Sequence, residues 1–103
     1  MDMNKMTEML SQASAMREQM EQRLAETIVE ADSGGGAVTV QMNGRKELLK
    51  LTIAPSAASA AADDITMLED LILAAINEAN RKADAAVQSS AASLLGNLGL
   101  PGL

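Results

Sequence analysis

Residues 34–80 settle most of what this chain can fold into. Three glycines, Gly34-Gly35-Gly36, break the chain and lead into an alternating segment at residues 37–42. Val38, Val40 and Met42 share one face there, and Thr39 and Gln41 the other. A second alternating segment, residues 48–53, puts Leu49, Leu51 and Ile53 on one face. Between them lies Asn43-Gly44. A two-residue turn at that pair would set Val40 opposite Glu47 and Met42 opposite Arg45, mixing apolar with charged. A four-residue loop, residues 44–47, pairs Met42 with Leu49, Val40 with Leu51 and Val38 with Ile53. Register follows the apolar pattern, so the longer loop is expected despite the pull of Asn-Gly toward a tight turn. Pro55 cannot donate to a ladder and closes the strand.

A helix is expected on each side of this hairpin. Met3, Met6, Leu10, Ala13, Met16, Met20 and Leu24 recur at steps of three and four, so residues 1–25 read as a long helix with a narrow apolar stripe. A narrow stripe on a rod about 35 Å long suits a projecting arm or a helix paired with another. Met3, Met6, Met9, Met16 and Met20 could line an adaptable partner surface or form a seam inside a dimer, and the seam is favoured. The β-branched cluster Thr27-Ile28-Val29 marks a short first strand. The sheet therefore spans residues 26–55. After an alanine-rich connector, Asp63, Asp64 and Thr66 are N-cap candidates, with Thr66 and Glu69 at capping-box spacing. The second main helix, residues 64–90, carries Ile65, Leu68, Leu71, Ile72, Ala75, Ile76, Ala79, Ala83 and Ala86. That stripe is broad enough to lie flat on the sheet. Its thinning to alanine predicts that the far end leaves the core. Residues 1–93 make one domain, and residues 94–103 are expected to be a flexible tail.

Composition limits the core. The chain has 103 residues, 48% of them apolar, but no Phe, Trp or Tyr, and much of the apolar content is alanine. A buried Leu or Ile contributes about 1.5–3 kcal/mol, and Ala far less. A lone subunit has a thin core, and a second copy is the commonest remedy. There is no cysteine and no histidine, which removes disulfides, thiolate metal sites, the usual general base and Ser-His catalysis. No catalytic, metal or cofactor site is expected. The acidic residues at 63–64 and 69–70 read as helix-start residues, which the dipole and capping favour, and the triple glycine reads as a turn. The N-terminal segment lacks the pattern of a signal peptide, and no run is long enough to span a bilayer. A cytoplasmic protein with no membrane partner is expected.

The order and spacing of several motifs resemble the YbaB/EbfC family of bacterial nucleoid-associated proteins. They are Gly34-Gly35-Gly36, the Val38/Val40 alternation, Asn43-Gly44, Leu51-Thr52-Ile53 with Pro55, and Met67-Leu68-Glu69-Asp70-Leu71-Ile72. Ala74-Ala75, Asn77-Glu78-Ala79 and Arg81-Lys82 follow, and the chain closes on Leu-Pro-Gly-Leu. The resemblance implies an α+β fold in two layers, made of a long N-terminal helix, a three-stranded antiparallel sheet and a C-terminal helix. It also implies a tight homodimer with projecting arms that binds double-stranded DNA in the nucleoid.

Net charge is −6, so any DNA contact must come from local patches. Lys5, Arg17, Arg23, Arg81 and Lys82 are the candidate phosphate contacts. Without aromatic side chains there is no platform for stacking unpaired bases. Binding is therefore expected to be to duplex backbone, weakly sequence-specific and sensitive to salt. The alternative is a protein–protein interaction module that has lost DNA binding, with the Met-rich helix taking a protein partner.

Overall fold

The computed structural model describes the backbone of residues 2–97 and the side chains of residues 2–93. In chain order it contains helix α1 (Met3–Glu26), strands β1 (Ile28–Ser33), β2 (Val38–Asn43) and β3 (Leu48–Ile53), a short helix α2 (Pro55–Ala60) and a long helix α3 (Ile65–Asn97). The strands form one antiparallel sheet in the order β1-β2-β3. The α+β architecture read from the sequence is the one observed. The molecule is elongated, 69 × 32 × 17 Å.

Each element has a local cause. Asp2 caps α1, its side chain accepting from the Lys5 amide at 3.0 Å. Asp64 does the same for α3 through the Met67 amide at 3.1 Å, so Thr66 lies inside the helix and is not the cap. The glycines at 34, 35 and 36 all have positive φ (62, 67 and 95°), which is why the β1–β2 turn needs them. The loop between β2 and β3 is the expected residues 44–47. Asn43 builds it: its buried side chain accepts from the Arg45 and Glu47 amides, each at 3.0 Å, and donates to the Glu47 carboxylate at 2.8 Å. An asparagine that satisfies its own loop in this way outweighs the tight-turn preference of Asn-Gly.

Val38 faces Ile53 and Val40 faces Leu51, as the apolar pattern requires. The third expected pair is corrected. Met42 lies opposite Leu48, not Leu49, because the ladder slips between Gln41 and Met42. A bulge of this kind adds one residue to one strand and increases local twist.

The core is built on small residues. α3 lies across β1 and β2, and its Ala75, Ala79 and Ala83 are fully buried against Ala31, Val38, Val40 and Met42. Leu68, Leu71, Ile72 and Ile76 close the sides of this contact. Ala75, Ala79 and Ala83 are thus the most deeply buried part of α3, and the far end leaves the core as expected, residues 88–93 being exposed. The helix backbone comes so near that the Ser33 hydroxyl donates to the Leu71 carbonyl at 2.6 Å. Beyond the sheet, α3 continues to Asn97, past the expected end at residue 90. Residues 94–97 of the expected tail are thus helical, and residues 98–103 lie outside the described residues.

α1 stands apart. None of its residues is buried, and Met3, Met6, Met9, Leu10, Met16 and Met20 are all more than half exposed. It is fastened at its C-terminal end. There the Leu24 carbonyl accepts the Gly44 amide at 2.8 Å, and the Arg23 carbonyl accepts the Thr27 amide and hydroxyl. A Cβ on Gly44 would sit 2.9 Å from the Leu24 carbonyl oxygen. Gly44→Ala is therefore expected to cost about 1–3 kcal/mol through overpacking against rigid backbone. Urea unfolding at one fixed protein concentration measures it, and an unchanged midpoint would show that α1 is not seated this way.

Candidate nucleic-acid interface

The five candidate cations sit on the two long helices, and the fold does not gather them into one patch. Lys5 is in the first turns of α1 and Arg23 in its last, about 27 Å apart along the axis. Arg17 is exposed between them and pairs loosely with Glu21 one turn on, at 3.9 Å. Arg81 and Lys82 lie on α3 where that helix crosses the sheet.

The two α3 cations are already engaged. Arg81 holds Glu78, its Nε donating at 3.0 Å with a second contact from Nη2 to the same oxygen. Hydrogen bonding from Arg81, and then its charge, hold the Glu78 carboxyl below the usual carboxylate range. Lys82 reaches the sheet, its Nζ donating to the Glu30 carbonyl at 2.9 Å. That carbonyl is on β1, at one edge of the sheet. A lysine over an edge strand is one of the ways folds guard open edges. Both residues thus have structural duties beside any role toward DNA.

Two of the three hairpin cations are also partnered. Lys46, held at φ +64°, bridges to Asp84 of α3 at 2.9 Å. Arg45 lies 3.8 Å from Glu47. Lys50 is on the polar face of the sheet beside Glu30, Thr39, Gln41 and Thr52. Among the described residues, Lys5, Arg23 and Lys82 are the candidates with no side-chain ion pair, and Lys82 is instead held by the Glu30 carbonyl.

Arg23 occupies the one place where α1 and α3 come together. A small apolar notch there is lined by Met20, Arg23, Leu24, Val87, Ser90 and Ala91. Beside it opens a cleft of about 480 Å³ that takes in Arg23 and Thr27 on one wall and Ser89, Ser90 and Ser93 on the other. Sequence reading found Arg23 but not the serines. Their one-sided spacing on α3 was visible, whereas the angle at which α1 meets that face was not. The Glu78–Arg81 pair was legible as a three-residue helical spacing. The Lys82–Glu30 and Lys46–Asp84 contacts join distant segments and left no local trace.

Because Glu78 is depressed, its bond to Arg81 is intact at neutral pH. The bond should be lost only as pH falls through that lowered midpoint. A carboxyl-carbon NMR titration is expected to show Glu78 titrating below the ordinary glutamate range, and Arg81→Gln should return it to that range. No movement in that variant would mean that Arg81 is not the cause.

Known proteins resemble this one along nearly its whole length. The model of the YbaB/EbfC DNA-binding family matches residues 2–98. A nucleoid-associated protein of Acidobacterium capsulatum is 62% identical over 100 residues, covering 94% of this chain and 93% of its own. One from Koribacter versatilis is 42% identical over 97 residues, covering 94% of each. A third, from Acetivibrio thermocellus, is 48% identical over 99 residues, covering 92% of this chain and 86% of its own. The crystal structure of an uncharacterized protein from Helicobacter pylori superposes with a TM-score of 0.69 at 26% identity, covering 92% of this chain and 98% of that one.

Proposed function

The chain belongs to the YbaB/EbfC DNA-binding family, and from that premise we propose that it is a non-enzymatic, nucleoid-associated protein that binds double-stranded DNA as a homodimer. The family match across residues 2–98 is the observation that carries this reading. The exposed α1 rod with Lys5, Arg17 and Arg23 along it supports a grip on an extended, charged partner. Arg81 and Lys82 contribute from α3 where their intramolecular partners release them. The contacts go to phosphate, so specificity is low and binding occurs in the cytoplasm at the nucleoid. Among the described residues no helix is long and apolar enough to cross a membrane.

The dimer is argued from uncovered surface. α3 covers β1 and β2 but leaves β3 open. Leu51 and Leu49 are 38% and 50% exposed, and Leu73 on α3 is 59% exposed. Exposed leucines of this kind on a chain with a thin core suit an interface, and a second copy meets it through a two-fold axis.

A protein–protein module is the second reading, and one observation favours it. From Asp2 to Glu26, three cations stand against five carboxylates, Asp2, Glu8, Glu18, Glu21 and Glu26. On that reading the exposed methionine stripe of α1 takes a protein partner.

In gel shifts, duplex DNA is expected to be retarded at low salt, with binding fading toward physiological ionic strength. No retardation even at low salt would overturn DNA binding, and capture of partners that survives nuclease treatment of the lysate would then favour the module. Sedimentation is expected to find a dimer at micromolar concentration, and Leu51→Glu a monomer. A folded, stable monomer of the unaltered protein would remove the dimer.

A further inference from the structure

We propose that the cleft between the root of α1 and the far half of α3 seats one phosphodiester of duplex DNA, held by the Arg23 guanidinium and the hydroxyls of Ser89, Ser90 and Ser93. This rests on the DNA-binding reading above and gives that reading a specific place on the molecule.

Arg23 is the arginine left free. Arg17, Arg45 and Arg81 each have a carboxylate within 4 Å, and among the described residues Arg23 has none. Its backbone is nonetheless fixed, since its carbonyl accepts both the amide and the hydroxyl of Thr27. A guanidinium on an anchored helix end loses less freedom on binding than one on a loose arm.

The serines are equally unoccupied. The hydroxyls of Thr7 and Thr27 turn back to the carbonyls of Met3 and Arg23. Those of Ser89, Ser90 and Ser93 make no hydrogen bond among the described residues, and all three line the cleft that Arg23 lines. Residues 89, 90 and 93 share one side of a helix. The cleft therefore offers a planar fork of charged N–H donors on one wall and three rotatable O–H donors on the other. Phosphate oxygens accept from both.

Glu26 also lines the cleft, and it narrows the choice of ligand. Its carboxylate, held by the Gln22 amide at 3.4 Å, repels a dianion about twice as strongly as a monoanion at the same distance. A backbone diester carries one negative charge and a free phosphate or phosphate monoester nearly two at neutral pH. The cleft therefore favours the diester.

The two walls leave different signatures. A guanidinium on a phosphate releases counterions, and a hydroxyl releases none. Binding of a short random-sequence duplex is measured across a salt series with the full-length protein, Arg23→Ala, the triple variant Ser89→Ala/Ser90→Ala/Ser93→Ala, and the two combined. Arg23→Ala is expected to flatten the salt slope by about 0.9 for each subunit engaged. The triple serine variant should bind several-fold more weakly at every salt with its slope unchanged. The combined variant should lose less than the product of the two fold-losses, because both walls hold one phosphate. These positions are exposed and serine-to-alanine favours helix, and circular dichroism verifies that each variant is folded. If the parent binds while the serine variant matches it, or if the losses multiply fully, the seat is overturned and DNA binding stands. A parent that binds at no salt overturns both.

Discussion

The structure depends on how near α3 can lie to the sheet. Ala75, Ala79 and Ala83 present only methyl groups to Ala31, Val38, Val40 and Met42 of the sheet, and the Ser33 hydroxyl reaches the backbone of the helix. Small residues gain less from burial than leucine, but they permit close packing along the whole ridge. The larger side chains of α3, Leu68, Leu71, Ile72 and Ile76, lie at the margins of that contact. On the β1 side this is harmless. On the β3 side it leaves leucines facing water, and stability then becomes a matter of what covers them.

Charge follows a similar pattern of competing demands. The fold uses most of its cations to hold itself together: Lys82 over the edge of β1, Lys46 to α3, Arg81 to Glu78. Surface pairs of this kind contribute little individually, yet each one lowers the charge offered to an anion. Fewer unpaired cations are then left to meet an anion, and neutral hydroxyl donors can bind one without releasing counterions. The serines opposite Arg23 are such donors.

Much of the fold was legible because local and global preferences agree. Alternation at residues 37–42 and 48–53 gave both strands, and the conflict between Met42 and Arg45 in a tight turn gave the loop length. What failed was instructive. The slip between Gln41 and Met42 is a bulge, which the apolar pattern does not encode. The thinning of the α3 stripe rightly placed its far end outside the core, but hydrophobicity alone did not register that Ala75, Ala79 and Ala83 are its best-buried positions. Asp64 and Thr66 were equal as caps on composition, and only the path of the chain after α2 selects Asp64. At the candidate site the charged residues were visible one by one, whereas their partners, Glu30 for Lys82 and Asp84 for Lys46, were not. A residue's availability is a property of the folded neighbourhood.

The Gly44–Leu24 hydrogen bond fastens a 24-residue helix at one end only. Such a helix is a lever, and the hairpin loop is its fulcrum. Its length is about 36 Å, so a tilt of about 5° at the root carries the tip about 3 Å. The backbone at Gly44 leaves no room for a side chain, which keeps the pivot stiff in one direction while the rest of the rod is unsupported. The tip of the rod is therefore displaced at small energetic cost, without disturbing the sheet.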